Sequence, residues 1–229
     1  IFIIMVKIKL KSIEYYPELN DPDFQKKIYK KKEFYDKKIN NIENNPEKAC
    51  NPSGFELFQQ QKFLKNYISI ETPYNGILLF HSVGSGKTCA SVSIAENYKY
   101  LVKKYKKKIF IFSNKSLKEN YLKTIYDLDK EKLKIKKDDI VQCTGNTYML
   151  GEEDRFLDRK QKLNKIKKKI RSFYQFMGYG KFANEIKRRT GWDGKLKNLT
   201  NNIKLIIKKE YSNRVLIIDE INNIKKSLE

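Results

Sequence analysis

Cysteine is scarce in this chain of 229 residues: Cys50, Cys89 and Cys143 are all there is, odd in number, scattered, and without metal-ligand spacing. That argues against a metal site built on them and fits thiols kept reduced in a cytosol-like compartment. Long hydrophobic runs are missing too. Ile1-Phe2-Ile3-Ile4 is far too short to span a bilayer, and its flanks make no secretion signal, so no membrane partner is expected. Because that run precedes Met5, the biological start is expected to lie elsewhere. Arginine is rare as well. Of 49 basic residues only Arg155, Arg159, Arg171, Arg188, Arg189 and Arg214 are arginine, while Lys, Asn, Ile and Tyr abound. An A/T-rich coding sequence gives that bias, so the net charge of +22 has two readings, a polyanionic partner such as nucleic acid or codon usage.

What the chain does have is enough apolar content, 40%, for one α/β domain with elaborations. Its organising stretch is Ile77-Leu78-Leu79-Phe80-His81-Ser82-Val83-Gly84-Ser85-Gly86-Lys87-Thr88. The apolar run predicts a buried parallel strand, and the alanine-containing segment after Thr88 predicts a helix. Strand, glycine loop and helix together describe a phosphate site. Val83, Gly84, Ser85 and Gly86 would curl backbone N–H groups around phosphate oxygens, since a Cβ at the glycines would obstruct the turn. Lys87 would reach the β/γ-phosphates, the Thr88 hydroxyl would take one position on Mg²⁺, and the helix N-terminus would add its dipole. His81 stands where the strict pattern has glycine, and a plain turn before a helix is the competing reading.

Around this stretch the chain divides into a leader over residues 1–52 and a domain over 53–229, with a basic helical insertion at 151–213. In the leader, Phe24, Ile28, Tyr29, Phe34 and Tyr35 among lysines predict one amphipathic helix strapped onto the core. A helix is expected from Phe55 to Tyr67. Within it, Gln61 is a candidate to pair the edges of adenine, near the aromatic Phe63, or else a solvated helix-face glutamine. Beyond Thr88 a helix should run to about Tyr105 with Ala90, Val92, Ile94, Ala95 and Tyr98 inward, then a buried strand at 108–112. Ser113, Asn114 and Lys115 follow that strand, where loops carry function; they could touch a nucleic-acid backbone, or Asn114 could simply cap the next helix. A third strand is expected at 139–145. In the insertion, Leu163, Ile166, Ile170 and Phe173 share one helical face opposite lysines, and the aromatic stretch 173–180 suggests a satellite core.

The second chemical motif is Val215-Leu216-Ile217-Ile218-Asp219-Glu220, four apolar residues delivering two carboxylates at a strand's end. Asp219 would hold Mg²⁺ and Glu220 would orient or deprotonate the water attacking the γ-phosphate. Alone the pattern is weak. Paired with the Lys-Thr loop 132 residues earlier, it is specific.

Gly84-Ser85-Gly86-Lys87-Thr88, Asp219-Glu220 and the upstream Gln61 resemble motifs I, II and Q of superfamily 2 DEAD/DEAH-like helicases. Thr72-Pro73-Tyr74-Asn75-Gly76, Cys143-Thr144-Gly145, Phe176-Met177-Gly178-Tyr179 and Tyr211-Ser212-Asn213-Arg214 narrow the resemblance to helicase-like NTPases of nucleocytoplasmic large DNA viruses, related to poxvirus NTPase I and the early transcription factor ATPase subunit. The resemblance implies an α/β P-loop NTPase fold, a RecA-like parallel sheet flanked by helices, here an incomplete fragment. It implies ATP and Mg²⁺, a catalytic set of Lys87, Asp219 and Glu220, and an ATP-dependent helicase or translocase acting in viral transcription or genome handling. The implied partners are nucleic acid, with DNA favoured over RNA, a second RecA-like domain beyond Glu229, and viral transcription subunits; the implied location is the cytoplasm, a viral factory or the virion. The family's motif II carries histidine where this chain has Asn222. In the family's sheet the motif III strand lies between the phosphate-loop and Asp-Glu strands, so an unpaired gap, poor solubility and negligible turnover are expected of this length of chain. A non-catalytic nucleic-acid scaffold and another P-loop ATPase, such as a packaging motor, remain the alternatives.

Overall fold

The computed structural model describes residues 2–5, 15–37, 55–80, 84–134, 136 and 139–220. His81, Ser82, Val83, Cys50 and Asn222, each singled out above, lie outside the described residues.

A five-stranded sheet in the order β2-β1-β5-β3-β4 forms the centre, from β1 (Phe2–Met5), β2 (Gly76–Leu78), β3 (Ile109–Phe112), β4 (Tyr174–Met177) and β5 (Val215–Ile218). β3 pairs in parallel with both β4 and β5, with Phe110 opposite Leu216 and Phe112 opposite Ile218. All four side chains of β3 are buried, which is why its sequence is a continuous apolar run rather than an alternating one. With helices packed around the parallel strands β4, β3 and β5, this is the α/β, RecA-like arrangement that the resemblance implies. β2, expected as a buried parallel strand, instead pairs antiparallel with β1 at the sheet's edge, with Leu78 exposed.

The expected gap beside the phosphate-loop strand is filled. β1 runs antiparallel between β2 and β5, pairing Ile3 with Ile77 on one side and with Ile217 on the other. The physical reason is the one that made a gap costly: two strand edges of unpaired N–H and C=O groups are satisfied by any extended segment that reaches them. A short apolar run too brief to interest a membrane is long enough for this.

Helices flank the sheet. In the leader, α1 (Phe24–Tyr29) and α2 (Lys32–Tyr35) replace the single helix expected, and bury Ile28 and Phe34. They dock on α3 (Gln59–Tyr67), four residues shorter at its start than expected, through a set of rings. Phe34 lies 5.0 Å from Phe63, and Tyr67 stacks on Tyr74 at 4.4 Å. The Tyr74 hydroxyl donates to the Pro17 carbonyl at 2.9 Å, so the polar end of a buried ring is satisfied. After the phosphate loop the chain forms α4 (Lys87–Glu96) and α5 (Lys99–Lys104) rather than one helix, and Ala90, Val92, Ile94, Ala95 and Tyr98 are all buried as expected. At the break, the Asn97 amide donates to the Lys65 carbonyl at 2.8 Å, tying α4 to α3. Glu96 closes the inner end of α4: its Oε1 accepts from the Tyr148 and Tyr174 hydroxyls at 2.9 and 2.6 Å, and Lys99 pairs with its other oxygen at 3.2 Å.

α6 (Lys118–Ile125) follows β3. Residues 139–145 form no strand. Their polar side chains hold them against the end of α6 instead, Gln142 accepting from the Asp127 N–H and Thr144 donating to the Ile125 carbonyl at 2.6 Å. The segment 151–213 gives α7 (Arg159–Phe173), α8 (Tyr179–Thr190) and α9 (Asn201–Tyr211). α7 is started by reciprocal bonds between Asp158 and Gln161, each side chain accepting from the other's backbone N–H at 2.8 and 3.0 Å. It buries Ile166 and Ile170 and half-buries Leu163 and Phe173. The aromatic stretch after it is more than a satellite core, because it supplies edge strand β4.

Removing residues 1–5 from the 229-residue chain should therefore expose two strand edges and lower Tm by about 10 °C or more, for a loss of several kcal/mol. An apolar-surface dye should bind the shortened chain. An unchanged, equally sharp melt would show that β1 is dispensable.

Candidate nucleotide site

The site forms where β2, β3 and β5 end. The backbone N–H of Asp219 donates to the Phe112 carbonyl at 2.9 Å, so the carboxylates leave the sheet beside the end of β3. A cavity of about 890 Å³ opens there, lined by Phe58, Gln61, Gly84, Gly86, Lys87, Thr88, Asp219 and Glu220 among others. Lys87 and Asp219, 132 residues apart in sequence, thus share one space. A larger cavity of about 1280 Å³ lies between the leader and β2, lined by residues such as Tyr15, Lys27, Lys31 and Tyr74. It holds neither the glycine turn nor the acid pair, and chemistry rather than size selects the smaller one.

Two glycines shape the turn. Gly84 has φ +82° with open space where a Cβ would sit, and Gly86 has φ +77°. A Cβ on Gly86 would come within 2.5 Å of the Gln61 amide nitrogen, so this position needs glycine for both conformation and approach. α4 starts immediately after, at Lys87, and directs its N-terminal N–H groups and positive dipole end toward the cavity. Ser85 sits half-buried in the same turn.

Gln61 has a different task from the one expected. It is 3% exposed; its Oε1 accepts from the Phe58 N–H and its Nε2 donates to the Gly86 carbonyl, both at 3.0 Å. With both ends of the amide engaged on the protein, it braces the glycine turn at Gly86. Phe63 points into the ring cluster of the leader, stacked with Tyr67, and leaves the cavity to Phe58, which is 60% exposed. Phe58 was not singled out from sequence; only its place at the start of α3, three residues before Gln61, hinted at it.

The acid pair is differentiated by its surroundings. Burial pushes the Asp219 carboxyl above its usual range, the Glu220 charge adds to that, and the Lys87 ammonium opposes it. Tyr179 donates its hydroxyl to the Asp219 carbonyl and to the Phe112 carbonyl, pinning the two strand ends together. Glu220 is exposed and has φ +51°, a left-handed conformation uncommon for a residue with a Cβ. Its Oε2 accepts from the Asn114 amide at 3.4 Å.

Of the three residues proposed to touch nucleic acid, Ser113 does not qualify. It is 5% exposed, and its N–H donates to the Met177 carbonyl at 3.3 Å because β4 has been added beside β3. Asn114 and Lys115 are exposed. The cysteines also depart from expectation: Cys89, in the first turn of α4, is disulfide-bonded to Cys143 across 54 residues, with Cα atoms 5.7 Å apart. Spacing along the chain hid this contact, which arises because residues 139–145 fold back onto α6.

Sequence comparison adds relatives. The chain is 31% identical over 238 residues to a putative ATP-dependent RNA helicase of Acanthamoeba polyphaga mimivirus, covering 91% of the chain and 19% of the relative. A second mimivirus protein of the same description is 30% identical, covering 91% of the chain and 31% of the relative. A putative helicase of Invertebrate iridescent virus 3 is 29% identical over 92% of the chain. This chain is a relative of the helicase-like proteins of large DNA viruses. It spans about a fifth to a third of the length of these relatives. No protein-family model matches it, and no solved structure matches significantly. Among the described residues, no helix is long and apolar enough to cross a membrane, and no group of three or more His, Cys, Asp or Glu is placed to hold a metal ion.

Reducing the Cys89–Cys143 bond should cost about 4 kcal/mol by loop-closure entropy, and so lower Tm by roughly 10 °C. Three free thiols in the untreated protein, counted by mass spectrometry after alkylation, would contradict the bond. Asp219 gives a second test. A carboxyl whose native pKa is raised binds its proton more tightly when folded, so its contribution is favourable below the unfolded pKa and is lost as pH rises through the native one. Asp219→Asn should therefore raise the Tm of the ligand-free protein near neutral pH, with the difference closing in acid. A Tm gap that stays constant down to pH 3 would rule out this origin.

Proposed function

We propose that this chain is the ATP-binding half of a nucleic-acid helicase or translocase. The observation that supports it most is the convergence of Gly84, Gly86, Lys87 and Thr88 with Asp219 and Glu220 on one cavity. In this reading the glycine turn and the start of α4 bind the phosphates, and Lys87 places its positive charge on the β/γ oxygens. Glu220, exposed at the cavity, orients the attacking water and accepts its proton. Phe58 covers the base. Gln61 keeps the turn open by holding the Gly86 carbonyl.

The donor set fits Mg²⁺. A hydroxyl at Thr88 and a partly desolvated carboxylate at Asp219 are hard oxygen ligands, and a site with one or two protein oxygens suits an ion that keeps its remaining positions for water and phosphate. Bound with the triphosphate, Mg²⁺ supplies charge neutralisation at the phosphate oxygens.

The polyanionic partner is nucleic acid, in keeping with the charge of +22 and with the relatives' descriptions. Two of those relatives are described as RNA helicases, so the preference for DNA expected from sequence has no support among them. A second RecA-like domain, viral transcription or genome-handling partners, and a place in the cytoplasmic viral factory or virion complete the reading.

The deciding assay is ATP turnover by the product of the complete reading frame, with and without single-stranded DNA or RNA. Turnover should rise with nucleic acid, and Glu220→Gln should lower it by about 10²–10⁴-fold. Lys87→Ala should abolish it. Equal rates in all three proteins, indifferent to nucleic acid, would eliminate the proposal.

A further inference from the structure

The wall of the nucleotide cavity is a ring of contacts between distant segments. Gln61 holds the Gly86 carbonyl and accepts from the Phe58 N–H. Three residues before Phe58, the Phe55 N–H donates to the Ile140 carbonyl at 2.7 Å. Three residues beyond Ile140 lies Cys143, which returns to the first turn of α4 through its bond to Cys89. Phe55, Phe58, Gly86, Cys89 and Cys143 all line the cavity. Two of these links between segments are single hydrogen bonds, and the third is covalent. Cys143 is itself firmly based, because its neighbours Gln142 and Thr144 bond to the Asp127 N–H and the Ile125 carbonyl at the end of α6. Cys89 directly follows Lys87 and Thr88. Both cysteines are half-buried, so the bond is within reach of a small thiol through the space a nucleotide would fill.

We infer that Cys89 and Cys143 form a thiol–disulfide exchange site whose state sets how tightly the cavity holds a nucleotide. The inference rests on the nucleotide reading above. Its reactant is a dithiol reductant. One reductant sulfur, as thiolate, attacks a sulfur of the pair and forms a mixed disulfide, while the other cysteine leaves with the S–S electron pair and takes up a proton. The second reductant thiol then attacks the first reductant sulfur and releases the remaining cysteine as a thiol. The reductant departs as a disulfide, and two electrons and two protons have passed to the protein. Two thiol sulfurs do not stay at bonding distance, so Cys89 and Cys143 part. The first turn of α4, which would meet the phosphates, loses its covalent tie to the segment that holds Phe55. Nucleotide binding must then restore that order, and affinity falls. Linkage makes the effect reciprocal: a bound nucleotide favours the disulfide by the same factor by which the disulfide favours the nucleotide.

The test uses the product of the complete reading frame with Mg²⁺ and a non-hydrolysable ATP analogue, well below the Tm of the reduced form. The oxidised protein should bind the analogue about tenfold more tightly than the protein reduced with dithiothreitol. Equilibration in graded mixtures of reduced and oxidised dithiothreitol, followed by alkylation read separately at Cys89 and Cys143 by peptide mass spectrometry, gives the reduction midpoint. Saturating analogue should move it by the same tenfold, about 30 mV toward more reducing mixtures. Shielding of the sulfurs by an occupant would slow the exchange without moving this equilibrium midpoint. Cys143→Ala should bind the analogue like the reduced wild type and ignore dithiothreitol. Equal affinity in the two redox forms with an unmoved midpoint overturns the inference, even where reduction lowers Tm, because the bond then serves stability alone. A Cys143→Ala protein that binds like the oxidised wild type overturns it too. Failure of the nucleotide reading has a different signature, no analogue binding in either redox form, and it takes this inference with it.

Discussion

The parallel pairing of β3 with β5 is the constraint on which the rest depends. Its last rung, from the Asp219 N–H to the Phe112 carbonyl, fixes where two carboxylates emerge and makes the turn after β3 their neighbour. Every residue of β3 is buried, and Val215 and Ile217 of β5 are inaccessible, so the pairing is enclosed by apolar contacts that resist fraying. Tyr179 clamps the same two strand ends from α8. Glu220 at the strand's end is exposed, while the strands that carry the pair are buried.

Three ties from distant parts of the chain converge on the glycine turn and the helix that follows it. Gln61 holds the Gly86 carbonyl, Asn97 holds α3 to the end of α4, and Cys143 is bonded to Cys89 within the first turn of α4. Each limits a different motion of the loop or helix that would meet the phosphates. Their combined effect is to hold Gly86 and the first turn of α4 by bonds within the protein itself. The ring cluster of the leader, from Phe34 through Phe63 and Tyr67 to Tyr74, backs this arrangement by fixing α3.

How much of this was legible in sequence depended on whether the signal was local. The buried face of α4 and the strand delivering Asp219 and Glu220 follow from short-range pattern, and both appear. The apolar run before Gly84 also forms a strand, but a largely exposed one paired antiparallel at the sheet's edge, since burial and strand direction are set by tertiary neighbours. β1 was invisible because four apolar residues at a chain end carry no periodicity; only the unpaired edges of β2 and β5 give them a place. β4 was hidden in the same way, its aromatics resembling a small core until β3 offered an edge. Residues 139–145 show the converse, a strand-like pattern overruled by side-chain bonds from Gln142 and Thr144. Gln61 and Asn114 show a second limit: the Gln61 amide engages Phe58 and Gly86, and the Asn114 amide reaches Glu220 instead of capping the next helix, because an amide's choice among partners is a tertiary matter.

The central claim is that a magnesium nucleotide lies between the glycine turn and the acid pair. A crystal structure with Mg²⁺ and a non-hydrolysable ATP analogue tests it most directly. The account predicts phosphate density against Gly84, Gly86 and Lys87, with the ion between Thr88 and Asp219. Nucleotide density in the larger cavity beside Tyr15 and Lys31, with the glycine turn empty, would contradict it.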